Sequence, residues 1–304
     1  MKETPQVRPD TGAAGQRFIP DIPPPLAATR APRVGFPAGA CDCHAHVFGP
    51  PEWARLLPDT HFRPHECPLP DYLRMLGVLG VQRAVLVQPS VYGTDNALIA
   101  EALRQPGFEL RGVAVVDPDI STEELQAMHL QGFRGIRVNT ASATPGLRLH
   151  QVPALADRIR PLGWHLQFFV DLQRQPELAD QLAGLDIPIV IDHFGKVPAS
   201  GGLDSPAARA LLRLLALPHC WAKLMGPYFI SSEFPQHPDV DALAQAMVAL
   251  APDRLLWGTD WPHPSARHQM PNDGDLADML ARWVPDSAAR HRILVTNPAR
   301  LYGF

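Results

Sequence analysis

Short apolar runs rich in valine and isoleucine recur along the chain, each separated from the next by a longer amphipathic stretch. Strands that alternate with helices form βαβ units and pair in parallel. Eight runs are predicted to be strands: 41–47, 84–88, 112–116, 135–138, 164–170, 187–192, 221–223 and 255–258. Eight parallel strands close into a (β/α)8 barrel, so we predict a single α/β domain of the TIM-barrel class.

The stretches between the runs have the features of helices. The predicted helices are 71–79, 95–104, 122–130, 153–160, 176–183, 206–217, 240–250, 275–283 and 287–295. Ser121 followed by Glu124 predicts a capping box. Pro153, Pro176 and Pro206 suit the first turn of a helix.

An open, doubly wound sheet is the alternative to a barrel. Such a sheet usually carries a G-x-G-x-x-G loop after its first strand, to bind a dinucleotide. Here the first predicted strand carries Asp42-Cys43-His44-Ala45-His46 instead. The length of 304 residues allows either one large domain or two ordinary ones, and the even alternation favours one.

Residues 1–38 form a separate segment, and the barrel is predicted to occupy residues 39–304. The segment contains eight prolines and has no sustained periodicity. Proline fixes the backbone and removes an amide donor, so we expect a proline-rich, extended arm. The alternatives are a disordered leader and a strap laid over the barrel or over a neighbouring subunit. The apolar side chains that a strap would bury are Phe18, Ile19, Ile22 and Leu26.

Composition argues against several classes of partner. A formal net charge of −4 argues against nucleic acid as the main ligand. No run approaches the about 18 apolar residues that a membrane span needs, and no secretory signal is visible at the N-terminus. The four cysteines lack the spacing of a disulfide framework. We therefore expect a cytoplasmic protein that acts on a small molecule, with a homo-oligomer as an open possibility.

The first predicted strand carries two histidines two residues apart. Side chains alternate between the faces of a strand, so His44 and His46 are expected to share one face with Asp42. Cys41 and Cys43 would fall on the opposite face, which argues against a mixed Cys/His zinc cluster. Two imidazoles on one face can converge on a divalent metal or on a polarised carbonyl oxygen. The alternative is a pair of partly buried structural histidines.

Polar residues also end the sixth and eighth predicted strands. In a barrel the carboxyl ends of the strands form the catalytic face. We therefore expect His193 and Asp260 to lie with His44 and His46 around one cavity, where the histidines would hold Asp260 ionised. Taken singly, His193 could instead cap a helix, and Asp260 could be a loop or N-cap carboxylate.

These motifs resemble the amidohydrolase-2 branch of the amidohydrolase superfamily. The segments that carry the resemblance follow one another over residues 40–304: 42–50, 88–96, 132–139, 191–195, 258–264 and 296–302. The resemblance implies a barrel with the three histidines and Asp260 at the centre of its site. It also implies hydrolysis of a ring ester, a lactone, with Asp260 as the base that deprotonates water.

One departure from the resemblance concerns a metal. Metal-dependent relatives place a histidine at the carboxyl end of the fifth strand, whereas Phe169 stands there in this chain and His165 lies near the strand's start. A metal site built on His44, His46 and Asp260 is therefore one ligand short. The lactonases of this branch are thought to work without a bound metal. We expect no required cofactor, with one zinc ion at partial occupancy as the alternative.

A carboxylate on the substrate needs a cation, and Arg137 is the first candidate. Ser90 and Tyr92 follow the second strand and could hold the substrate through their hydroxyls, unless they only supply polarity to a turn. The remaining candidates for substrate binding are Asn139, Lys223 and His263. Lys223 has the alternative of a buried cation paired with an acid.

The predicted function is that of a hydrolase that opens a small carboxylate-bearing lactone during the breakdown of aromatic or sugar acids. The histidines would polarise the ring carbonyl while Asp260 activates water. One alternative is a metal-dependent amide hydrolase or decarboxylase of the same superfamily. Two others are a sugar-acid lactone isomerase, which takes up no water, and a barrel that only binds an acid. A bare carboxylate at Asp260 would repel an anion, which argues against the last.

Overall fold

The structure is a computed structural model, and it describes residues 21–50, 55–58, 60, 62–141, 147–266 and 269–304. Within these residues, eight parallel strands pair in chain order. They are β1 (Cys41–Ala45), β2 (Arg83–Val87), β3 (Glu109–Ala114), β4 (Phe133–Asn139), β5 (His165–Phe169), β6 (Ile189–Ile191), β7 (Cys220–Leu224) and β8 (Leu255–Trp257). Each predicted apolar run overlaps one of them, so the predicted (β/α)8 barrel is confirmed.

Hydrogen bonds between β1 and the residues that follow β8 join the two ends of the sheet. The amide of Asp260 donates to the carbonyl of His44 at 2.9 Å, and the amide of His46 donates to the carbonyl of Trp261 at 2.7 Å. Ala45 and Trp261 pair in parallel. Closure therefore places Asp260 beside the two histidines of β1.

Helices cover the outside of the barrel. They are α1 (Leu69–Leu79), α2 (Ala97–Leu103), α3 (Thr122–Gln131), α4 (Val152–Ile159), α5 (Leu178–Ala183), α6 (Pro206–Ala216), α7 (Asp241–Leu250), α8 (Asp273–Trp283), α9 (Ser287–His291) and α10 (Asn297–Tyr302). Ser121 caps α3 and forms the predicted capping box with Glu124. Pro153 and Pro206 lie in first turns as predicted, whereas Pro176 precedes its helix.

Alternate strand residues and the end of α10 fill the barrel interior with apolar side chains. This cluster contains Cys41, Cys43, Val85, Val87, Val113, Val190, Trp221, Leu256, Leu301 and Tyr302. Alternation of faces along each strand explains its composition. The polar residues of the site lie at the carboxyl ends of the same strands.

The predicted division of β1 into two faces is wrong. The pairing register of β1 shifts between Asp42 and Ala45, which is the signature of a bulge. As a result His44 lies in the interior together with Cys41 and Cys43. Asp42 instead points outward, where its carboxylate accepts a hydrogen bond from the hydroxyl of Tyr72 at 2.8 Å.

The four cysteines are free and buried, in agreement with a spacing that does not predict a disulfide framework. The sulfur atoms of Cys41 and Cys43 are 3.8 Å apart, well beyond the about 2.05 Å of a disulfide bond. In the part of the chain that the structure describes, no helix has the length and apolarity needed to cross a bilayer.

The described part of the N-terminal segment lies against the barrel. Ile22 is buried, and its amide donates to the carbonyl of Arg63 at 2.8 Å. Leu26 is 47% exposed, so it does not bury apolar surface as predicted for a strap. Phe18 and Ile19 lie outside the described residues. Further along, the ring of Phe36 packs edge-on against Trp257 of β8, with 4.9 Å between ring centroids.

Candidate active site

A cavity at the carboxyl ends of the strands collects many of the predicted site residues. It is lined by His46, Phe62, Pro89, Ser90, Arg137, Asn139, Phe169, His193, Phe229, Asp260, Pro264 and Ser265. The ring centroid of His44 is 5.0 Å from that of His46 and 5.2 Å from that of His193. The four residues predicted at the centre of the site come from three distant strands, and closure of the barrel brings them together.

His44 is fully buried, and its neighbours decide which ring nitrogen carries the proton. Its Nδ1 faces the ammonium of Lys223 at 3.0 Å and the amide nitrogen of Gln167 at 3.4 Å. Both of these neighbours are donors, and Oδ1 of Asp192, also 3.4 Å from Nδ1, is paired with the nearer Lys223. We therefore assign Nδ1 as the acceptor and place the proton of the neutral ring on Nε2. Burial, followed by Lys223, lowers the pKa of His44 well below its usual value. His44 therefore presents a neutral N–H towards Asp260, whose Oδ1 is 3.7 Å from Nε2.

Lys223 and Asp192 form a fully buried ion pair behind His44. The ammonium of Lys223 is 3.2 Å from Oδ1 of Asp192, and the amide of Gln167 donates to Oδ2 at 3.0 Å. Burial by itself would raise the pKa of Asp192, but Lys223, followed by His44, lowers it well below its usual range. Lys223 is thus a buried cation paired with an acid, which corrects its prediction as a residue that contacts the substrate.

The neutral ring of His46 carries its proton on Nδ1, the opposite nitrogen to that assigned in His44. Its Nδ1 donates to the carbonyl of Val87 at 2.7 Å, so the lone pair of the neutral ring is on Nε2. That nitrogen is 3.6 Å from Oδ1 of Asp260. Burial, followed by the charge of Arg137, lowers the pKa of His46 to about 3. The two histidines therefore offer one donor and one acceptor to the same carboxylate oxygen.

Asp260 is held in the left-handed backbone region, with φ of 64°. Its Oδ2 accepts a hydrogen bond from the hydroxyl of Tyr228 at 2.6 Å, which leaves Oδ1 towards the histidines. Burial raises the pKa of Asp260 to about 7, against the hydrogen bond from Tyr228, which lowers it. The expectation that the histidines hold Asp260 ionised is therefore wrong, because burial makes their rings neutral. A carboxyl with a pKa near neutrality is well matched to general-base work at that pH.

His193 lies between two phenylalanine rings. Its ring centroid is 4.2 Å from that of Phe229 and 5.2 Å from that of Phe169. A Cβ atom at Gly226, where φ is 62°, would come within 2.7 Å of Nδ1 of His193, so both the backbone and the close contact require glycine. Burial, followed by His44, lowers the pKa of His193 well below its usual value.

Arg137 of β4 supplies a buried cation to the cavity. Only 7% of the residue is exposed, and its Nη1 donates to the carbonyl of Gln88 at 3.0 Å. Its guanidinium carbon lies 5.6 Å from the ring centroid of Phe169, and its Nε has no hydrogen-bond partner among the described residues. A buried guanidinium with donor capacity to spare is a suitable anion-binding group. Ser90 and Asn139 line the same cavity.

Two predicted substrate-binding residues lie elsewhere. Tyr92 packs in the main core against Phe48, with 6.0 Å between ring centroids, and is only 4% exposed. His263 is fully buried behind Tyr228, because its backbone turns away from the cavity after Asp260. Neither side chain lines the cavity, which corrects both predictions.

Comparison with known proteins agrees with this geometry. Residues 41–304 match the family described as amidohydrolase. The chain belongs to the amidohydrolase family. The match begins at β1 and ends at the last residue, so it covers the barrel and the site together.

Relatives of this amidohydrolase include enzymes named for lactones. This chain is 36% identical over 294 residues to a 4-sulfomuconolactone hydrolase of Rhizobium radiobacter, and the aligned region covers 95% of this chain and 98% of the relative. It is 35% identical over 284 residues to a 2-pyrone-4,6-dicarboxylate hydrolase of Comamonas testosteroni, with 89% and 92% covered. A crystal structure of a probable 2-pyrone-4,6-dicarboxylic acid hydrolase from Acinetobacter baumannii with citric acid bound superposes with a TM-score of 0.77 at 27% identity, covering 88% of this chain and 100% of that one.

Several residues of the site in this amidohydrolase were not predicted from its sequence. Tyr228 and Phe229 follow β7, so the rule that selected His193 and Asp260 could have found them. Gln167 is two residues from the end of β5, on the interior face that alternation predicts. Nothing in the sequence indicates that Asp192, beside His193, pairs with Lys223.

Among the residues that the structure describes, two groups of side chains have potential metal-ligand atoms within 4.8 Å of one another: His44 with Asp192 and His193, and His44 with His46 and Asp260. Both need His44. To bind a metal through Nε2, His44 would carry its proton on Nδ1, where it would meet the ammonium of Lys223 at 3.0 Å. Metal-bound histidines normally direct that proton at a carboxylate or carbonyl acceptor. Oδ1 of Asp192, 3.4 Å from Nδ1, would be that acceptor, so a metal ion requires the nearer Lys223 to move or to lose its charge. Phe169 adds no ligand from β5.

Proposed function

We propose that this amidohydrolase adds water to a small lactone that carries a carboxylate, opening the ring ester. The observation that carries the proposal is the arrangement at Asp260. A carboxyl with a pKa of about 7 faces two neutral histidines of opposite polarity, at a cavity that Arg137 also lines. The names of the relatives, both lactone hydrolases, support the same reaction class.

Asp260 is the general base in this proposal. Its Oδ2 is held by Tyr228, so Oδ1 takes a proton from water as the water oxygen attacks the ring carbonyl. When the tetrahedral intermediate collapses, the ring C–O bond breaks. The proton on Asp260 then passes to the leaving oxygen, which restores the carboxylate. The product is an open chain with one new hydroxyl and one new carboxylic acid, and the acid releases the second proton of the water to solvent as it ionises.

The histidines stabilise charge without being charged themselves. The Nε2 proton of His44 donates to the carbonyl oxygen as it becomes an oxyanion, and the Lys223 ammonium at Nδ1 strengthens that donor. The lone pair on Nε2 of His46 accepts from the attacking water, because its Nδ1 proton is held by Val87. His193 closes the pocket between its two phenylalanine neighbours.

Arg137 binds the substrate carboxylate, with Ser90 and Asn139 on the same cavity wall. The rings of Phe169 and Phe229 meet edge to face at 72°, with 5.7 Å between centroids, and the face of either ring can pack against a planar lactone. These groups bind the substrate and the transition state alike. Their contacts orient the ring carbonyl towards Asp260.

We also propose that no metal ion is required, because the ammonium of Lys223 supports His44 from the side where a metal-bound histidine would carry its proton. Activity is expected to survive extensive dialysis against a chelator, and metal analysis of protein purified without chelator should find no stoichiometric ion. Stoichiometric zinc or manganese whose removal abolishes turnover, and whose return restores it, would instead favour a metal-dependent amidohydrolase.

The reaction is tested with a panel of pyrone, muconolactone and aldonolactone substrates, followed by acid release. Hydrolysis in water enriched in oxygen-18 should place one labelled atom in each product molecule. Ring conversion without label would identify a lactone isomerase, and binding of acids with no turnover would identify a binding protein. A cytoplasmic location and a homo-oligomeric state stay predictions from the sequence.

A further inference from the structure

A row of polar side chains in contact with one another leads from Asp260 away from the cavity. The hydroxyl of Tyr228 donates to Oδ2 of Asp260 at 2.6 Å and lies 3.3 Å from Nδ1 of His263. Nε2 of His263 is 3.1 Å from Oδ1 of Asp273. Asp260, His263 and Asp273 are each at most 5% exposed, whereas Tyr228 between them is partly exposed.

Three different segments contribute to this row. Tyr228 lies in the short 3₁₀ turn Pro227–Phe229 after β7, and Asp273 is the first residue of α8. His263 lies in the loop after β8, where its φ of 63° and a hydrogen bond from its amide to the carbonyl of Asp260, at 2.7 Å, fix the backbone. The row therefore ties the carboxylate of Asp260 to the start of a helix on the outside of the barrel.

Each member of the row constrains the next. Asp273 is an acceptor, so it fixes the ring of His263 with a proton on Nε2 and leaves Nδ1 towards Tyr228. The single phenol proton goes to Oδ2 of Asp260, so the ring of His263 positions Tyr228 by edge-to-face packing, with 5.9 Å between ring centroids, rather than by a second hydrogen bond. A carboxylate with one oxygen held in this way cannot rotate, so its free oxygen stays in one place.

We propose that Tyr228, His263 and Asp273 are positioning residues for Asp260: they keep Oδ1 directed at the attacking water. His263 and Asp273 act through Tyr228 and touch no substrate. The inference rests on the proposed lactonase function, in which Oδ1 is the basic atom, and it assigns a role in that reaction to residues on α8 and the loop after β8.

The test compares Tyr228→Phe, Asp273→Asn and the double variant. Tyr228→Phe should lower kcat by about 10- to 100-fold, the effect of losing one hydrogen bond to a charged group, with KM nearly unchanged. Asp273→Asn should lower kcat less. In the Tyr228→Phe background, Asp273→Asn should have no further effect, because its influence passes through the missing hydroxyl. Effects that multiply, or a change confined to KM, would overturn the inference.

Asp239→Asn is the matched control. Asp239 accepts a hydrogen bond from Ser231 at 2.6 Å, in a second partly buried set with His237 on the loop after β7, away from the cavity. This variant should keep the kcat of the parent protein. Circular dichroism and thermal unfolding show whether each variant folds, and His263→Gln replaces any Asp273 variant that does not.

A measurement without substrate separates this inference from the proposed function. The carboxyl carbon signal of Asp260 is followed by NMR against pH. Its midpoint should rise in Tyr228→Phe, because the tyrosine hydrogen bond lowers the pKa of Asp260. If no lactone is turned over but the midpoint rises, the row is supported and the lactonase proposal fails. An unchanged midpoint overturns the row whatever the activity.

Discussion

Asp260 has two carboxylate oxygens in different surroundings, and this difference determines its chemistry. Oδ2 is held by Tyr228, whereas Oδ1 faces an N–H from His44 and a lone pair from His46. Asp260→Asn keeps the size of the side chain but removes its basicity. We expect kcat to fall by about 10²- to 10⁴-fold with little change in KM. Retention of more than about a tenth of kcat would exclude Asp260 as the base and make His193 the next candidate.

The same substitution should change stability in a pH-dependent way. The pKa of Asp260 is about 7 in the folded protein, against about 3.9 for an unfolded chain. The folded protein therefore binds more protons between these values, and its stability falls as pH rises from about 4 to about 7. Asp260→Asn removes this loss. The free energy of unfolding in urea should therefore be higher for the variant than for the parent at about pH 8, and the difference should be smaller at about pH 5. Equal stability of the two proteins at about pH 8 would contradict the raised pKa.

Arg137→Met should affect binding more than turnover. In the proposed reaction the guanidinium binds the substrate carboxylate in both the ground state and the transition state, so its loss should raise KM by about 10- to 100-fold and lower kcat much less. Arg209→Met, on the exposed side of α6, is the matched control and should leave both constants unchanged. A fall in kcat with KM unaltered would show that Arg137 acts on the reaction itself.

Residue identity at strand ends could be predicted from the sequence, but side-chain direction could not. His44, His46, His193 and Asp260 were predicted because the carboxyl ends of barrel strands meet at one face. Lys223 and His263 were candidates for binding the substrate, and both lie behind the cavity. Whether a side chain reaches the cavity depends on the path of the loop after each strand. The sequences of these loops have no periodicity from which that path could be predicted.

At the level of elements, Asp42 joins three parts of the fold. Its carboxylate accepts hydrogen bonds from the amides of His44 and Thr259, from the hydroxyl of Thr259, and from Tyr72 of α1. These bonds hold the bulged β1 against the end of β8, where Asp260 follows. Burial raises the pKa of Asp42 to about 6, against these hydrogen bonds, which lower it.

Asp42→Ala should destabilise the protein strongly. It leaves two buried amides without an acceptor, at about 1–3 kcal/mol each, so the expected loss is about 2–6 kcal/mol in the free energy of unfolding. Tyr72→Phe removes a single hydroxyl and should cost about 1 kcal/mol. Urea denaturation at neutral pH measures both. A loss below that of Tyr72→Phe would mean that the junction of β1 and β8 does not depend on Asp42.

The alternation of apolar runs and amphipathic stretches was sufficient to predict the eight strands, since each strand must be buried on both faces in a barrel. The bulge in β1 was not predicted, because a pattern that alternates every two residues does not show where a strand contains an extra residue. The end of the chain also differs from the prediction. Helix α9 is followed by the π-helical turn Arg292–Thr296 and by α10. The side-chain amide of Asn297 donates hydrogen bonds to the carbonyls of Pro252 and Leu255, which hold this segment in place.

At the scale of the whole molecule, the N-terminal segment contacts the helix that carries Asp273. The amide of Arg30 donates to Asn272, the N-cap of α8, and the side-chain amide of Asn272 donates to the carbonyl of Ala28. The Arg30 guanidinium also pairs with Asp275 and Asp278 of α8. These ion pairs are partly exposed and contribute little on their own. The close backbone packing is the more specific contact.

Gly274→Ala tests this packing. A Cβ atom at Gly274 would lie 2.0 Å from the carbonyl oxygen of Arg30, a backbone atom that cannot move aside alone. The variant must displace the N-terminal segment or the start of α8, and we expect a loss of about 1–3 kcal/mol in the free energy of unfolding. Because Asp273 precedes this glycine, kcat should fall as well if the row from Asp273 to Asp260 positions the base.

Gly77→Ala is the matched control for that variant. Gly77 lies in α1, and nothing is within 4 Å of the position that its Cβ would take. Alanine in a helix is favoured over glycine by about 1 kcal/mol, so this variant should equal or exceed the parent protein in stability and keep its kcat. Thermal unfolding and lactone turnover are measured on both variants. If Gly274→Ala behaves like Gly77→Ala, the N-terminal segment does not hold the start of α8.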